Sequence, residues 1–341
     1  MIEVKNIRKV FNPGTVNEQV AINNLHLILN EGDFITIIGG NGAGKSTLLN
    51  IISGSLEADE GLILLNGTDV SNLKEHQRAP YFGRVFQDPM KGTATDMTVL
   101  ENLALARGRG KTRSLFRWSI RKNDKEFFIE QLKSLDLGLE DKIHQKVGLL
   151  SGGQRQALTL LMATISQLPS HRTIRKDYVR FESVDKTKAK LEVESAYKSL
   201  REEYLNKKKE IKNNESLSAK EKREQIKEAY DKFDKEFRRF DVTKPVLLLD
   251  EHTAALDPKT ASKVLDLTNK IVNEKKLTTI MITHNMNDAI KYGTRLIMMS
   301  KGDIVVDIQG EEKEKLTIEH LLAMFSSASK NDVMSDSAIL G

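Results

Sequence analysis

The chain has 341 residues, 53 Lys and Arg against 48 Asp and Glu for a net charge of +5, and no cysteine. Disulfides, thiolate metal sites and a cysteine nucleophile are excluded, which suits a reducing compartment. No apolar run approaches the ~20 residues of a membrane span, and Glu3, Lys5, Arg8 and Lys9 break up any apolar leader, so the sequence predicts a soluble or peripheral protein.

Residues 1–38 alternate apolar and polar positions around an Asn12-Pro13-Gly14 turn, as an edge sheet does. Phe11 stands just before that turn. Its flat ring suits stacking on a purine and equally suits the core of a short strand; residue type alone does not choose. Residues 34–38 form an apolar run read as a buried strand, and residues 46–52 read as a helix.

Between them lies Gly39-Gly40-Asn41-Gly42-Ala43-Gly44-Lys45-Ser46-Thr47, which fits the phosphate-loop pattern G-x-x-x-x-G-K-[ST]. Glycines at 39, 42 and 44 let the backbone turn its N–H groups inward at a helix N-terminus, where they and the helix dipole hold anionic oxygens. Asn41 lies among the residues of that cradle. Lys45 is expected to reach the β- and γ-phosphates, Ser46 to give its hydroxyl to Mg²⁺, and Thr47 to support the loop. The expected ligand is a nucleoside triphosphate.

Residues 60–67 read as strand and turn and residues 81–86 as another strand, ended by Gln87. An amide there can touch Mg²⁺ or an attacking water. Residues 95–149 are mostly helical in pattern: Thr98 with Glu101 makes a capping box, and residues 127–137 form an amphipathic stretch. Ser151-Gly152-Gly153-Gln154 then opens an apolar helix over 157–168, a second helix N-terminus with glycines suited to an anion.

Residues 246–251 are a continuous apolar run ending in Asp250 and Glu251. Such runs belong to strands buried on both faces. Asp250 is expected to hold Mg²⁺ through its water shell, and Glu251 to polarise the attacking water as general base. Residues 279–283 form another buried strand with His284 after it, placed to bond the γ-phosphate and orient the catalytic acid. A hairpin over 296–308, a short helix over 318–325 and a polar, disordered tail from 326 complete the chain.

The phosphate loop, Gln87, the Ser151 signature, the Asp250-Glu251 pair, Leu256-Asp257 and His284 follow one another in a fixed order. As a set they resemble the ATP-binding subunit of ABC transporters, over residues 1–168 and 244–310. The resemblance implies an α/β P-loop NTPase core with an antiparallel β subdomain and a helical subdomain. Residues 1–87 and 244–310 are expected to form the nucleotide-binding core and 88–168 the helical signature subdomain, with 311–341 a C-terminal helix and flexible tail. It also implies an ATPase using ATP and Mg²⁺, working as a head-to-tail dimer of two copies or of a copy and a paralogue. Ser151 and Gly153 of one subunit would close over ATP held by Lys45 and Ser46 of the other, Asp257 would link the two sites, and Gln87 would couple them to an integral membrane permease. An extracytoplasmic substrate-binding protein completes the expected set, at the cytoplasmic face of the membrane.

Two positions depart from the family pattern: Gly40 and His252 each stand where proline is common. The His252-Thr253-Ala254-Ala255-Leu256-Asp257 form resembles a subgroup of importer ATPases associated with branched-chain-type permeases and aromatic amino acids.

Residues 169–243 are unexplained by that resemblance. From His171 to Phe240 there are 21 Lys and Arg against 15 Asp and Glu, so the basic character of the chain sits there. Val193, Tyr197, Leu200, Tyr204 and Ile211, and then Ile226, Tyr230, Phe233, Phe237 and Phe240, follow heptad spacing. They predict an inserted antiparallel coiled-coil hairpin, with its turn at Asn213-Asn214-Glu215 and Ser218 with Glu221 capping the return helix. Its charge reads as the solvated face of a coiled coil more readily than as a nucleic-acid surface. The alternative function is a soluble ABC-type ATPase acting on nucleic acid or ribosomes through this basic hairpin.

Overall fold

The computed structural model describes residues 1–109, 122–165, 187–214, 216–237 and 245–328, without the side chains of 122–124, 187–198, 230–231, 233–237 and 326–328. The chain forms two compact units, Met1–Gln167 with Lys244–Gly341, and Leu168–Thr243.

The strands of the first unit are β1 (Ile2–Phe11), β2 (Gln19–Leu29), β3 (Phe34–Gly39), β4 (Glu60–Leu65), β5 (Thr68–Asp69), β6 (Phe82–Val85), β7 (Val246–Asp250), β8 (Thr279–Ile282), β9 (Arg295–Ser300) and β10 (Asp303–Gln309). One sheet is antiparallel, in the order β2-β1-β4-β5; the other runs β10-β9-β3-β8-β7-β6 and is parallel except at the β10 edge. Its helices are α1 (Lys45–Ser53), α2 (Glu75–Arg78), α3 (Val99–Arg107), α4 (Lys122–Lys133) and α5 (Gly152–Thr164), then α8 (Pro258–Lys275), α9 (Met286–Lys291), α10 (Glu311–Glu314) and α11 (Ile318–Ala328).

Burial explains the apolar runs. Leu247 and Leu249 of β7 join Val99, Leu103, Phe128 and Leu158 in a core against the helices on one face. Val246 and Leu248 point the other way, into a core with Leu48, Leu49 and Ile52 of α1 and with Ile2, Val4 and Ile63 of the antiparallel sheet. A strand covered on both faces has no polar side to show, so it reads as a continuous apolar run. Helix α1, between the two sheets, carries the phosphate loop at its N-terminus.

Several sequence expectations hold with small shifts. The Thr98 box forms as read: its hydroxyl accepts the Glu101 N–H at 3.2 Å, and the Glu101 carboxylate accepts the Thr98 N–H at 2.7 Å. The signature helix starts at Gly152 rather than 157, because Ser151 caps it. The terminal helix continues through Ala328, past the start of the tail expected from 326; residues 329–341 lie outside the described residues. Helix α8 was not read from the sequence at all, although Asp257 and Pro258 supply its N-cap and first residue.

In the second unit, α6 (Thr187–Asn213) and α7 (Ala219–Phe237) pack side by side. The groove between them is lined by Leu200, Tyr204 and Ile211 from α6 and Gln225, Ala229 and Lys232 from α7. The first helix runs through Asn213, so the expected turn at 213–215 starts one residue later; Glu215 lies outside the described residues, and the Asn214 side chain accepts from the Ser216 N–H and hydroxyl at 3.0 and 2.6 Å. Ser218 caps α7, accepting the Glu221 N–H at 3.3 Å. Residues 169–186 and 238–243, and the side chains of Val193, Tyr197, Tyr230, Phe233 and Phe237, lie outside the described residues, so that part of the heptad reading is not addressed.

Candidate functional site

The register of the parallel strands brings their C-terminal ends level. Val85 pairs with Leu249, and Ile282 lies opposite both Asp250 and Ile37. Residues 39–46, 86–87, 250–251 and 283–284 therefore leave the sheet along one edge. In open α/β sheets ligands bind at this edge, where side chains freed from the ladder meet helix N-termini.

The phosphate loop turns on its glycines. Gly39 has φ 152°, and a Cβ there would collide with the Met299 carbonyl oxygen; Gly44 has φ 97°, and a Cβ there would collide with the Ala21 carbonyl oxygen. Asn41 and Gly42 are exposed on the loop, while Thr47 is half-buried. Lys45 is 5% exposed, and its Nζ donates to the Gly39 and Gly40 carbonyls at 2.8 and 3.0 Å. Burial lowers its pKa, opposed by the charges of Glu251 and Asp250. Both carboxylates thus stand within electrostatic reach of the loop lysine.

The Ser46 hydroxyl donates to Asp250 Oδ1 at 3.3 Å. Glu251 follows with φ 45°, a left-handed conformation rare outside glycine, asparagine and aspartate. Its N–H donates to the Ile282 carbonyl at 3.1 Å and its carbonyl accepts the Ala254 N–H at 3.0 Å, so neighbouring backbone holds the unusual conformation. The Glu251 carboxylate meets Nε2 of His284. His284 is itself fixed by its neighbours: Thr283 Oγ1 accepts the Asn285 N–H at 3.0 Å, and Asn285 caps α9.

Beside this cluster, a cleft of about 920 Å³ is lined by Phe11, Asn50, Arg84, Gln87 and Asp250, among others. Gln87 is exposed there. Phe11 is 36% exposed, with Lys9 Nζ 5.9 Å from its ring centre, so its ring sits on the surface beside the cleft rather than in the core.

The signature occupies a different place. Ser151 accepts the Gln154 N–H at 3.3 Å, and Gln154 bonds Lys142 Nζ at 3.1 Å and the Leu137 carbonyl at 3.1 Å. Gly152 and Gly153 face Leu256 and Thr260; a Cβ on Gly153 would collide with the Thr260 methyl. Asp257 caps α8 by accepting the Thr260 N–H at 3.1 Å, and its hydrogen bonds with Thr260 lower its pKa. Signature and Asp257 are thus neighbours through Thr260, while Lys45, Ser46, Asp250, Glu251 and His284 form a separate group at the sheet edge.

One charged participant was missed from the sequence. Arg84, in the middle of β6, pairs with Asp250 Oδ2 at 3.3 Å. An arginine between Gly83 and Val85 in an otherwise apolar strand was the available signal.

Comparison with known proteins identifies the family. The ABC transporter family profile matches residues 22–171. The chain is 37% identical over 330 residues to a tyrosine transport ATP-binding protein of Clostridioides difficile, covering 96% of this chain and 100% of that one. It is 26% identical over 325 residues to a phosphonates import ATP-binding protein of Lactococcus lactis, covering 94% and 98%. Among solved structures, the ADP conformation of an ATP-binding cassette of an ABC transporter superposes with a TM-score of 0.61 at 22% identity over 97% of this chain and 99% of that one. A dimeric cassette bound to ADP and Pi gives 0.58 at 23%, over 91% and 98%, and establishes shared fold. The chain belongs to the ATP-binding subunits of ABC transporters, ATPases that power transport across a membrane.

Proposed function

We propose that this ATPase drives uptake of an amino acid of the aromatic class, working with a membrane permease and an extracytoplasmic binding protein. The observation that carries the catalytic part is the convergence of Lys45, Ser46, Asp250, Glu251 and His284 on one edge of the parallel sheet. The substrate class is supported by the tyrosine transport relative and by the His252–Asp257 sequence.

ATP lies along residues 39–47, its triphosphate against the loop N–H groups and Lys45, its base against Phe11. Mg²⁺ fits the donors present. Ser46 and Asp250 offer hard oxygens already within hydrogen-bond distance, and this ion commonly takes one or two protein ligands with the rest from phosphate and water. Gln87, which lines the same cleft, would be a further ligand and the link to the permease.

Glu251 takes the proton of the attacking water, and His284, in contact with its carboxylate, holds it in position and faces the γ-phosphate. Two copies assemble head to tail. The exposed cap of Ser151 and Gly152 in one copy then completes the anion site of the other, and Asp257, joined to the signature through Thr260, reports the state of that site. Among the described residues no helix is long and apolar enough to cross a membrane. The subunit works as a peripheral partner on the cytoplasmic face, a placing supported by its likeness to a transport ATP-binding protein.

The test is affinity capture of the Glu251→Gln protein with ATP from detergent-solubilised cells, with a nuclease-treated control, followed by tyrosine uptake in cells lacking the gene. A co-purifying multi-spanning permease and lost aromatic uptake are the expected results. Nuclease-sensitive partners, or unchanged uptake of every aromatic amino acid, would overturn the assignment.

A further inference from the structure

We propose that Arg84 is a positioning residue for the nucleotide site, a fixed cation that neutralises one oxygen of Asp250 and so sets how strongly ATP binding depends on Mg²⁺. The proposal rests on the reading of Asp250 as the metal-side carboxylate.

The two oxygens of Asp250 have different partners. Oδ1 accepts the Ser46 hydroxyl at 3.3 Å, and Oδ2 faces Arg84 Nη2 at 3.3 Å. The guanidinium is locked in place: Nη2 also donates to Asn50 Oδ1 at 2.7 Å, and Nη1 lies 3.3 and 3.2 Å from the hydroxyls of Ser53 and Ser55. Its central carbon lies 4.6 Å from the centre of the Phe86 ring. The side chain is 13% exposed and that of Asp250 16%, so solvent screens the pair only in part. Asn50 and Ser53 belong to α1, the helix that begins with the phosphate loop. The same arginine thus ties the base of that helix to β6 and to the Asp250 end of β7.

Without a counter-ion, a carboxylate at this edge repels a triphosphate. Arg84 supplies that counter-charge when no metal is bound, and it also opposes a second cation brought to the same carboxylate. Removing it therefore weakens ATP binding without metal and strengthens the effect of adding metal. A purely structural arginine has no such asymmetry, since loosening α1 lowers both affinities together.

The experiment measures ATP affinity of the full chain by calorimetry in EDTA and in Mg²⁺, for wild type, Arg84→Met and Arg84→Lys. The ratio of the Mg²⁺ affinity to the EDTA affinity is expected to rise about tenfold in Arg84→Met, mainly through loss of the EDTA value, and to stay near wild type in Arg84→Lys. In an Asp250→Asn background the same methionine substitution is expected to leave the ratio unchanged. If Arg84→Met does not fold, Arg84→Gln, which keeps a donor for Asn50, takes its place. An unchanged ratio in the neutral variant overturns the proposal, whether both affinities fall or neither does. A wild-type protein whose ATP affinity ignores EDTA would instead overturn the metal role of Asp250.

Discussion

The sheet edge of the first unit and the helical hairpin of the second are both built from regular elements, but they confine their polar groups differently. In the parallel sheet, β3, β7 and β8 are buried on both faces, so chemistry can emerge only where the strands stop. In the hairpin the apolar seam is narrow: Ile211 is buried, whereas Leu200 and Tyr204 are half-buried and Leu205 is exposed. A change at the sheet edge is therefore expected to remove function without unfolding the sheet, while a change in the hairpin is expected to loosen the helices around it. The contrast teaches that depth of burial, rather than regularity, decides where a fold can hold reactive groups in a fixed geometry.

The largest expected effect tests the edge itself. Glu251→Gln should lower phosphate release by about 10²- to 10⁴-fold while ATP still binds, because an amide cannot take the proton of water. Size-exclusion chromatography with ATP should then show two copies held together. Hydrolysis at the wild-type rate would remove Glu251 from the role of base.

A second pair of substitutions compares the two interiors. Leu248→Ala, at a fully buried β7 position, should cost about 3 kcal/mol in urea unfolding followed by tryptophan-independent far-ultraviolet dichroism. Ile211→Ala should cost less, about 2 kcal/mol, and hydrogen exchange should show the change confined to 187–237. Equal loss of protection in β3, β7 and β8 would break the comparison.

His252 sharpens it by pH. This residue is buried beside the edge, and burial pushes its imidazole pKa to about 4. Thr268 Oγ1 donates to the Val264 carbonyl at 2.7 Å, which leaves it to accept the His252 Nε2 proton at 3.2 Å; burial, which disfavours the charged form, is what keeps the ring neutral. The unfolded chain protonates this histidine near pH 6.5, whereas the folded chain resists until about 4. Stability is therefore full above pH 6.5 and falls as the pH drops toward 4, by up to about 3 kcal/mol. The slope between those values should flatten in His252→Asn; an identical slope would mean that other groups carry it.

The smallest effect belongs to the hairpin turn. Ser218→Ala removes the acceptor for the Glu221 N–H and should cost about 1 kcal/mol, seen as faster amide exchange in the first turn of α7. A change in ATPase rate would show that this helix end matters beyond its own stability.

Much of this was legible because the sequence signals were local. The phosphate loop, the capping boxes at Thr98 and Ser218, and the apolar runs before Gly39 and Asp250 each involve a few adjacent residues whose physics needs no distant partner. Helix α8 is less legible, because apart from Asp257-Pro258 at its start its residues carry no short motif of their own. Phe11 stayed undecided because stacking ring and core ring share one chemistry; its exposure separates them. Arg84 was passed over because its partners, Asn50 and Asp250, lie 34 and 166 residues away.

The sequence by itself determined the element types, the anion-binding turn and the family, since these follow from glycine placement, hydrophobic period and the order of six short motifs. Only the tertiary structure decided which of those motifs meet. Strand register, set by the pairing of Ile282 with Asp250 and Ile37, is a relation between distant segments, and it brings Lys45, Glu251 and His284 to one edge while leaving the signature beside Thr260. Burial and charge pairing are likewise properties of the packed chain, which is why the counter-ion of Asp250 appears only when the strands are side by side.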